Sequence, residues 1–190
     1  MAPRRAHLMA GYAQADSWAT DAHKWLNVPY DSGLVFVREA SHLRAAMAAR
    51  AAYLLKSEQR EPDENVPELS RRARGVEVWA ALRSLGRQGL AEMIERTCRH
   101  ATWFAEGLKA AGYEVLNEVV INQVLVSFGD DETTRRVVAS VQQDGTCWCG
   151  GTFWQGRAAM RISVSSWATT DEDRVKSLDT ILRLAREHTQ

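Results

Sequence analysis

The chain has 190 residues with 24 basic and 24 acidic side chains, so its formal net charge is zero, and 45% of its residues are hydrophobic. That balance argues against nucleic acid or an anionic membrane as the main partner, since both favour a basic surface. No apolar run approaches the roughly 20 residues of a membrane-spanning helix. The N-terminal residues from Met1 to Leu8 lack the apolar stretch of a secretory signal.

In chain order, residues 1–16 are rich in Arg and Ala and show no clear period. Ser17 to Thr20 reads as a short strand, followed by Asp21-Ala22-His23-Lys24-Trp25 and a turn-rich segment from Asn27 to Gly33. Leu34 to Val37 reads as a short buried strand. Ser41 is positioned to cap a helix reaching about Leu55, with Leu43 and Met47 at helical spacing. From Ser57 to Ser70 the chain is polar and carries Pro62 and Pro67, which predicts a loop and a protease-sensitive boundary. A helix is expected from Val76 to about Leu85, interrupted by Gly86 and Gly89. A longer helix follows from Leu90 to Ala111, with Leu90, Ile94, Cys98, Ala101, Ala105 and Leu108 on one stripe and Gly112 as its stop.

Beyond Gly112 the period shifts. Strands are expected over Tyr113–Leu116, Gln123–Phe128, Cys147–Trp154 and Met160–Ser165, the last alternating Met160, Ile162 and Val164 with Arg161 and Ser163. Helices are expected over Glu132–Gln143, closed by Gly145, and from Thr170 onward. Thr170 and Asp173 have the spacing of a capping box. In that last helix Val175, Leu178, Ile181 and Leu182 are expected to face inward. The final ~80 residues thus read as a compact α+β unit. The first ~56, with two short strands and one helix, are too few to bury a sheet on both faces. The expected domains are residues 1–74 and 75–190.

Three cysteines, Cys98, Cys147 and Cys149, offer no disulfide framework, which fits a reducing, cytoplasmic setting. Cys147-Trp148-Cys149 is a pair without a second pair nearby, so no metal site is assigned; the plainer reading is two small residues on a strand.

Only four of the 24 basic residues are lysines: Lys24, Lys56, Lys109 and Lys176. Where Arg serves most surface positions, a Lys among aromatic and acidic neighbours stands out, because an amine forms an imine and a guanidinium does not. A Lys desolvated by aromatic rings is a better nucleophile. Lys24 lies between His23 and Trp25, with Asp16, Asp21 and Asp31 nearby.

The run from Asp16 to Gly33, centred on Asp21-Ala22-His23-Lys24-Trp25, resembles the lysine motif of the group II pyridoxal-phosphate-dependent decarboxylases, which include the aromatic-L-amino-acid and glutamate decarboxylases. Ser70-Arg71-Arg72-Ala73-Arg74-Gly75 resembles the arginine-rich motif downstream of that lysine. Asn122–Phe128 and Met160–Trp167 resemble strands of the family's C-terminal domain. The resemblance implies an α/β, fold-type-I pyridoxal-phosphate protein: a remnant of the large domain followed by an α+β small domain. It implies that Lys24 holds the cofactor as an imine and that His23 lies near its phosphate. Asp21 stands at a third cofactor-side position, where some members carry Asn and where a carboxylate repels phosphate unless it is paired. Arg161, facing away from its apolar strand neighbours, and Arg74 are the candidates to pair with a substrate carboxylate; Arg71, Arg72 and Arg74 also read as a solvated charge run. Trp25 and Trp167 are candidates to line the cleft.

The implied activity is decarboxylation of an amino acid with pyridoxal 5'-phosphate, by a homodimer or in association with another chain. Only 23 residues precede Lys24, so the ring-nitrogen partner and much of the phosphate cup are not assignable, and this chain alone is expected to be weak or inactive. The alternatives are an aminotransferase-like reaction, or a non-catalytic remnant serving as an interaction module.

Overall fold

The computed structural model describes residues 3–48 and 62–189. The chain divides into two compact units, Pro3–Gly86 and Arg87–Gln190.

In the first unit, β1 (Ser17–Asp21) and β2 (Gly33–Val37) pair antiparallel, with Ser17 opposite Val37 and Asp21 opposite Gly33. The ribbon is held across its strands by Trp18 and Phe36, directly opposite and stacked with ring centroids 3.8 Å apart. Short 3₁₀ turns cover Pro3–Met9, Tyr12–Gln14 and Pro62–Glu64. Helix α1 spans Ala40–Met47. It begins after Glu39 rather than at Ser41, without a side-chain cap. The predicted extension to Leu55 and the start of the polar segment, Ser57 to Glu61, lie outside the described residues.

The expectation that Leu34–Val37 is buried is corrected. Val35 is 52% exposed and Phe36 42% exposed. A two-stranded ribbon has only one partner strand for each edge, and the small core of this unit lies beside it. That core is Ala22, Val28 and Val78, with Leu26, Leu34 and Ala81 packed against it.

Helix α2 (Gly75–Ala110) is broken at Gly86, whose backbone leaves the helical region at φ 62°, ψ −176°. Gly89 stays within the helix, so one glycine, not two, makes the interruption. Gly86 is the one that takes a positive φ, a conformation at no steric cost only for glycine. The unit boundary falls at this break rather than after residue 74, because the segment before it places Val78 and Ala81 in the first unit's core.

In the second unit an antiparallel sheet has the order β3-β4-β6-β5, comprising β3 (Glu114–Val115), β4 (Gln123–Ser127), β5 (Gly150–Trp154) and β6 (Arg157–Ser163). Residues Cys147 to Cys149 precede β5 rather than belonging to it. Helices α3 (Asp131–Asp144) and α4 (Asp171–Thr189) pack with the rest of α2 around the main core. Ala101, Ala105 and Leu108 of the α2 stripe are buried there with Val124, Val126, Met160, Ile162 and Ile181, and Cys98 on the same stripe is also buried.

Both ends of α3 and the start of α4 carry identifiable caps. Asp130 accepts from the Thr133 N–H at 2.7 Å at the start of α3, and Gly145 closes it with φ 76°. Thr170 and Asp173 form the reciprocal box: the Asp173 N–H donates to Thr170 Oγ1 at 3.2 Å, and the Thr170 N–H donates to Asp173 Oδ2 at 2.9 Å. Val175 does not face inward as expected. It is 43% exposed, because the buried stripe of α4 runs through Leu178, Ile181, Leu184 and Ala185. No helix among the described residues is long and apolar enough to cross a membrane.

Candidate cofactor site at the end of the first ribbon

Strand β1 ends at Asp21 because the chain must turn before re-entering as β2. The turn is closed by backbone bonds: the Lys24 N–H donates to Asp21 O at 3.2 Å, and the Asn27 N–H donates to Lys24 O at 3.3 Å. Asn27 takes a left-handed φ of 58°, which Asn tolerates better than most residues, and its side-chain amide donates to Trp25 O at 2.6 Å. Buried Ala22 anchors the turn from below.

Lys24 is thereby displayed with its side chain 68% exposed. Its ammonium meets Asp21 Oδ2 at 2.5 Å. That contact, chiefly the hydrogen bond from Lys24, holds the Asp21 carboxyl below its ordinary range. The Asp21 charge is thus compensated within three residues, which removes much of the repulsion an anion would meet there.

His23 is fixed from the other side of the ribbon. The backbone N–H of buried Ser32 donates to His23 Nδ1 at 3.0 Å. The Ser32 carbonyl lies 3.2 Å from the same nitrogen, so the Ser32 backbone meets Nδ1 with both its donor and its acceptor and holds the ring in place in either tautomer. The ring packs against Tyr30, centroids 4.1 Å apart.

The arginine-rich segment grips this same turn. Arg74 Nε and Nη2 donate to the two oxygens of Asp31 at 2.8 and 3.1 Å, and Arg74 Nη1 reaches Glu68 at 3.0 Å. Arg72 donates to Tyr30 O and pairs with Glu77 at 3.1 Å. Arg71 donates to the carbonyls of Glu68 and Leu69. Two of the three arginines therefore bind the loop carrying Tyr30 and Asp31, and both sides of the Arg74 fork are occupied by carboxylates of this chain. Sequence reasoning did not foresee this clamp. The only signal was an Asp in a turn and an Arg in a distant basic run.

The structure brings Asp21, His23, Lys24 and Arg74 into the first unit. Arg161 belongs to the second, on β6, exposed on the face opposite Met160 and Ile162 and across from Leu125 and Gly150. Trp25 is half-buried, and Trp167 is 65% exposed with its carbonyl accepting from Arg96 at 2.6 Å. Among the described residues no cluster of three or more His, Cys, Asp or Glu is placed to hold a metal.

The donor set at the turn fits pyridoxal phosphate. An accessible primary amine is what its aldehyde carbon takes, and an imidazole N–H beside it suits an anionic oxygen. Lys24 would hold the group covalently, and His23 through its imidazole.

Residues 1–129 match the family model described as the pyridoxal-dependent decarboxylase conserved domain. The chain is 29% identical over 184 residues to histidine decarboxylase of Drosophila melanogaster, covering 93% of this chain and 22% of that protein. It is 29% identical over 196 residues to aromatic-L-amino-acid decarboxylase of Drosophila lebanonensis, covering 99% of this chain and 48% of that protein. The solved structure of Oryza sativa TDC with PLP and tryptamine superposes with a TM-score of 0.90 at 21% identity, over 99% of this chain and 42% of that one, which shows the fold to be that of the fold-type-I pyridoxal-phosphate proteins. The chain thus spans less than half the length of these relatives, and within that span it belongs to the pyridoxal-dependent decarboxylase family.

Proposed function

We propose that this chain carries the lysine side of a pyridoxal-phosphate-dependent amino-acid decarboxylase acting in the cytoplasm. The observation that carries the reading is the Lys24 amine, displayed on the strand-end turn beside the His23 ring that Ser32 and Tyr30 hold in place. When bound, the cofactor supplies an electron sink for the pair left behind as the substrate carboxylate departs as CO₂.

The chain's own groups have separate tasks. Lys24 Nζ must give up a proton to act as a nucleophile, and Asp21 Oδ2 is placed to hold the ammonium until then. The His23 imidazole binds an anionic oxygen, and the Ser32 backbone and the Tyr30 ring hold it in position. The Arg72 and Arg74 contacts orient the Tyr30–Asp31 loop against which His23 packs. Arg74, already holding Asp31 and Glu68, acts in this reading on the loop rather than on substrate, while Arg161 remains the candidate for a substrate carboxylate. A second chain is the natural cover for the exposed Val35 and Phe36 on the ribbon.

The test is reductive trapping. The protein is incubated with pyridoxal phosphate, reduced with borohydride and mapped by peptide mass. Label is expected on Lys24 and is expected to vanish from that peptide in Lys24→Arg. Label on Lys56, Lys109 or Lys176 in preference to Lys24 would overturn the reading.

A further inference from the structure

The second unit holds a pair of thiols that the reading above does not use. Cys147 and Cys149 flank Trp148, which is 75% exposed, while Cys149 is buried and Cys147 is half-buried against the main core. With the middle side chain turned out, the two flanking sulfurs are turned in. Both line one cavity of about 280 Å³ whose wall includes Ser177, Arg174, Phe104 and Ile162. The backbone here is pinned, since Gln142 Nε2 donates to Cys149 O at 2.8 Å and the Thr146 N–H donates to Asp144 Oδ1 at 3.2 Å. The cavity lies at the lower edge of ligand-pocket sizes, ample for a small oxidant.

From this arrangement we propose that Cys147 and Cys149 are a hydroperoxide-reactive dithiol, Cys147 being the sulfur attacked first and Cys149 the one that resolves it. The two environments differ in the required sense. The Cys149 S–H and the Ser177 hydroxyl donate toward the Cys147 sulfur and pull its pKa down, against the opposing effects of burial and Asp144. Cys149, donating to its neighbour and buried, is pushed far up and stays a thiol. Arg174 also lines the cavity, its Nε 3.2 Å from Asp171 Oδ1 and its guanidinium over the Trp103 ring.

The chemistry closes without another reactant. The Cys147 thiolate attacks the distal oxygen of a hydroperoxide. The O–O bond breaks, the sulfur is oxidised by two electrons to the sulfenic acid, and the alkoxide leaves and takes a proton to become the alcohol or, from hydrogen peroxide, water. Cys149 then attacks that sulfur: the S–S bond forms, the S–O bond breaks, and hydroxide departs with the Cys149 proton as water.

The test uses the full chain with hydrogen peroxide, non-reducing peptide mapping, and circular dichroism on every variant. The wild type is expected to give an intramolecular Cys147–Cys149 disulfide, its peptide lighter by two hydrogen atoms. Cys149→Ser is expected to accumulate a dimedone-trappable sulfenic acid on Cys147, and Cys147→Ser to leave Cys149 unmodified. In the unmutated protein Cys147 is expected to alkylate on the order of tenfold or more faster than fully buried Cys98, since its thiolate is favoured and it reaches the cavity. Reaction of Cys98 as fast as Cys147, or disulfides only between chains, would overturn the proposal. None of these readouts depends on the cofactor, so they fail or succeed independently of the decarboxylase reading.

Discussion

Arg74 holds Asp31 through both carboxylate oxygens, Nε to Oδ1 at 2.8 Å and Nη2 to Oδ2 at 3.1 Å, across 43 residues of sequence. This bidentate pair ties the segment before α2 to the loop that supports His23. Its effect on Asp31 is direct: the Arg74 hydrogen bond holds the carboxyl at about 2, against an ordinary 3.8.

An acid-stability consequence follows from that depressed value. The unfolded chain takes up a proton at Asp31 near pH 4 while the folded chain still refuses it, so the pair's contribution is present above about pH 4 and is lost as pH falls toward about 2. Asp31→Asn is expected to unfold at nearly the same denaturant concentration at both ends of that window, apart from the background common to both proteins. The wild type is expected to lose more. Parallel curves for the two proteins would show that the pair is not felt in stability. Both partners reach solvent, so added salt should shrink the difference.

His100 predicts a second pH dependence, at higher pH. The residue is 3% exposed on α2, its Nε2 lies 3.1 Å from Asp171 Oδ1, and its Nδ1 has no hydrogen-bond partner among the described residues. Burial, then the charge of Arg174, holds its pKa below the ordinary 6.5, with Arg96 adding to this and Asp171 opposing. The unfolded state therefore binds the proton first on acidification, and stability is expected to fall as pH drops below about 6.5. Urea midpoints measured from neutral to mildly acid pH should decline in the wild type and flatten in His100→Gln. A midpoint that rises on acidification would contradict the assigned direction.

Gly107 is constrained by packing against the end of the Leu178 side chain rather than by backbone conformation. It lies within α2, where Ala would ordinarily gain about 1 kcal/mol of helix propensity. A Cβ built there runs into Leu178 Cδ2 of α4, and Leu178 is itself buried. Overpacking of this kind costs about 1–3 kcal/mol, so Gly107→Ala is expected to be net destabilising by roughly 1 kcal/mol. In a Leu178→Ala background the same substitution is expected to become neutral or favourable. A cycle that shows simple additivity would place the cost elsewhere.

The second unit was legible before any coordinates. Its elements are long enough to show their period, and their stops are chemical: Gly145 at the end of α3, Thr170 with Asp173 at the start of α4. The lysine motif was legible as well, since a rare Lys beside His23 in a turn is a local pattern and family likeness acts on such patterns. What the sequence could not contain was pairing at a distance. The Arg74–Asp31 clamp, the Ser32 backbone that holds the His23 ring, and the inward facing of Cys147 and Cys149 around an exposed Trp148 each depend on where separate segments come to rest. The same holds for Val35 and Phe36, whose apolar run reads as buried. Burial depends on how many neighbours the fold supplies to a strand, and a two-stranded ribbon supplies few.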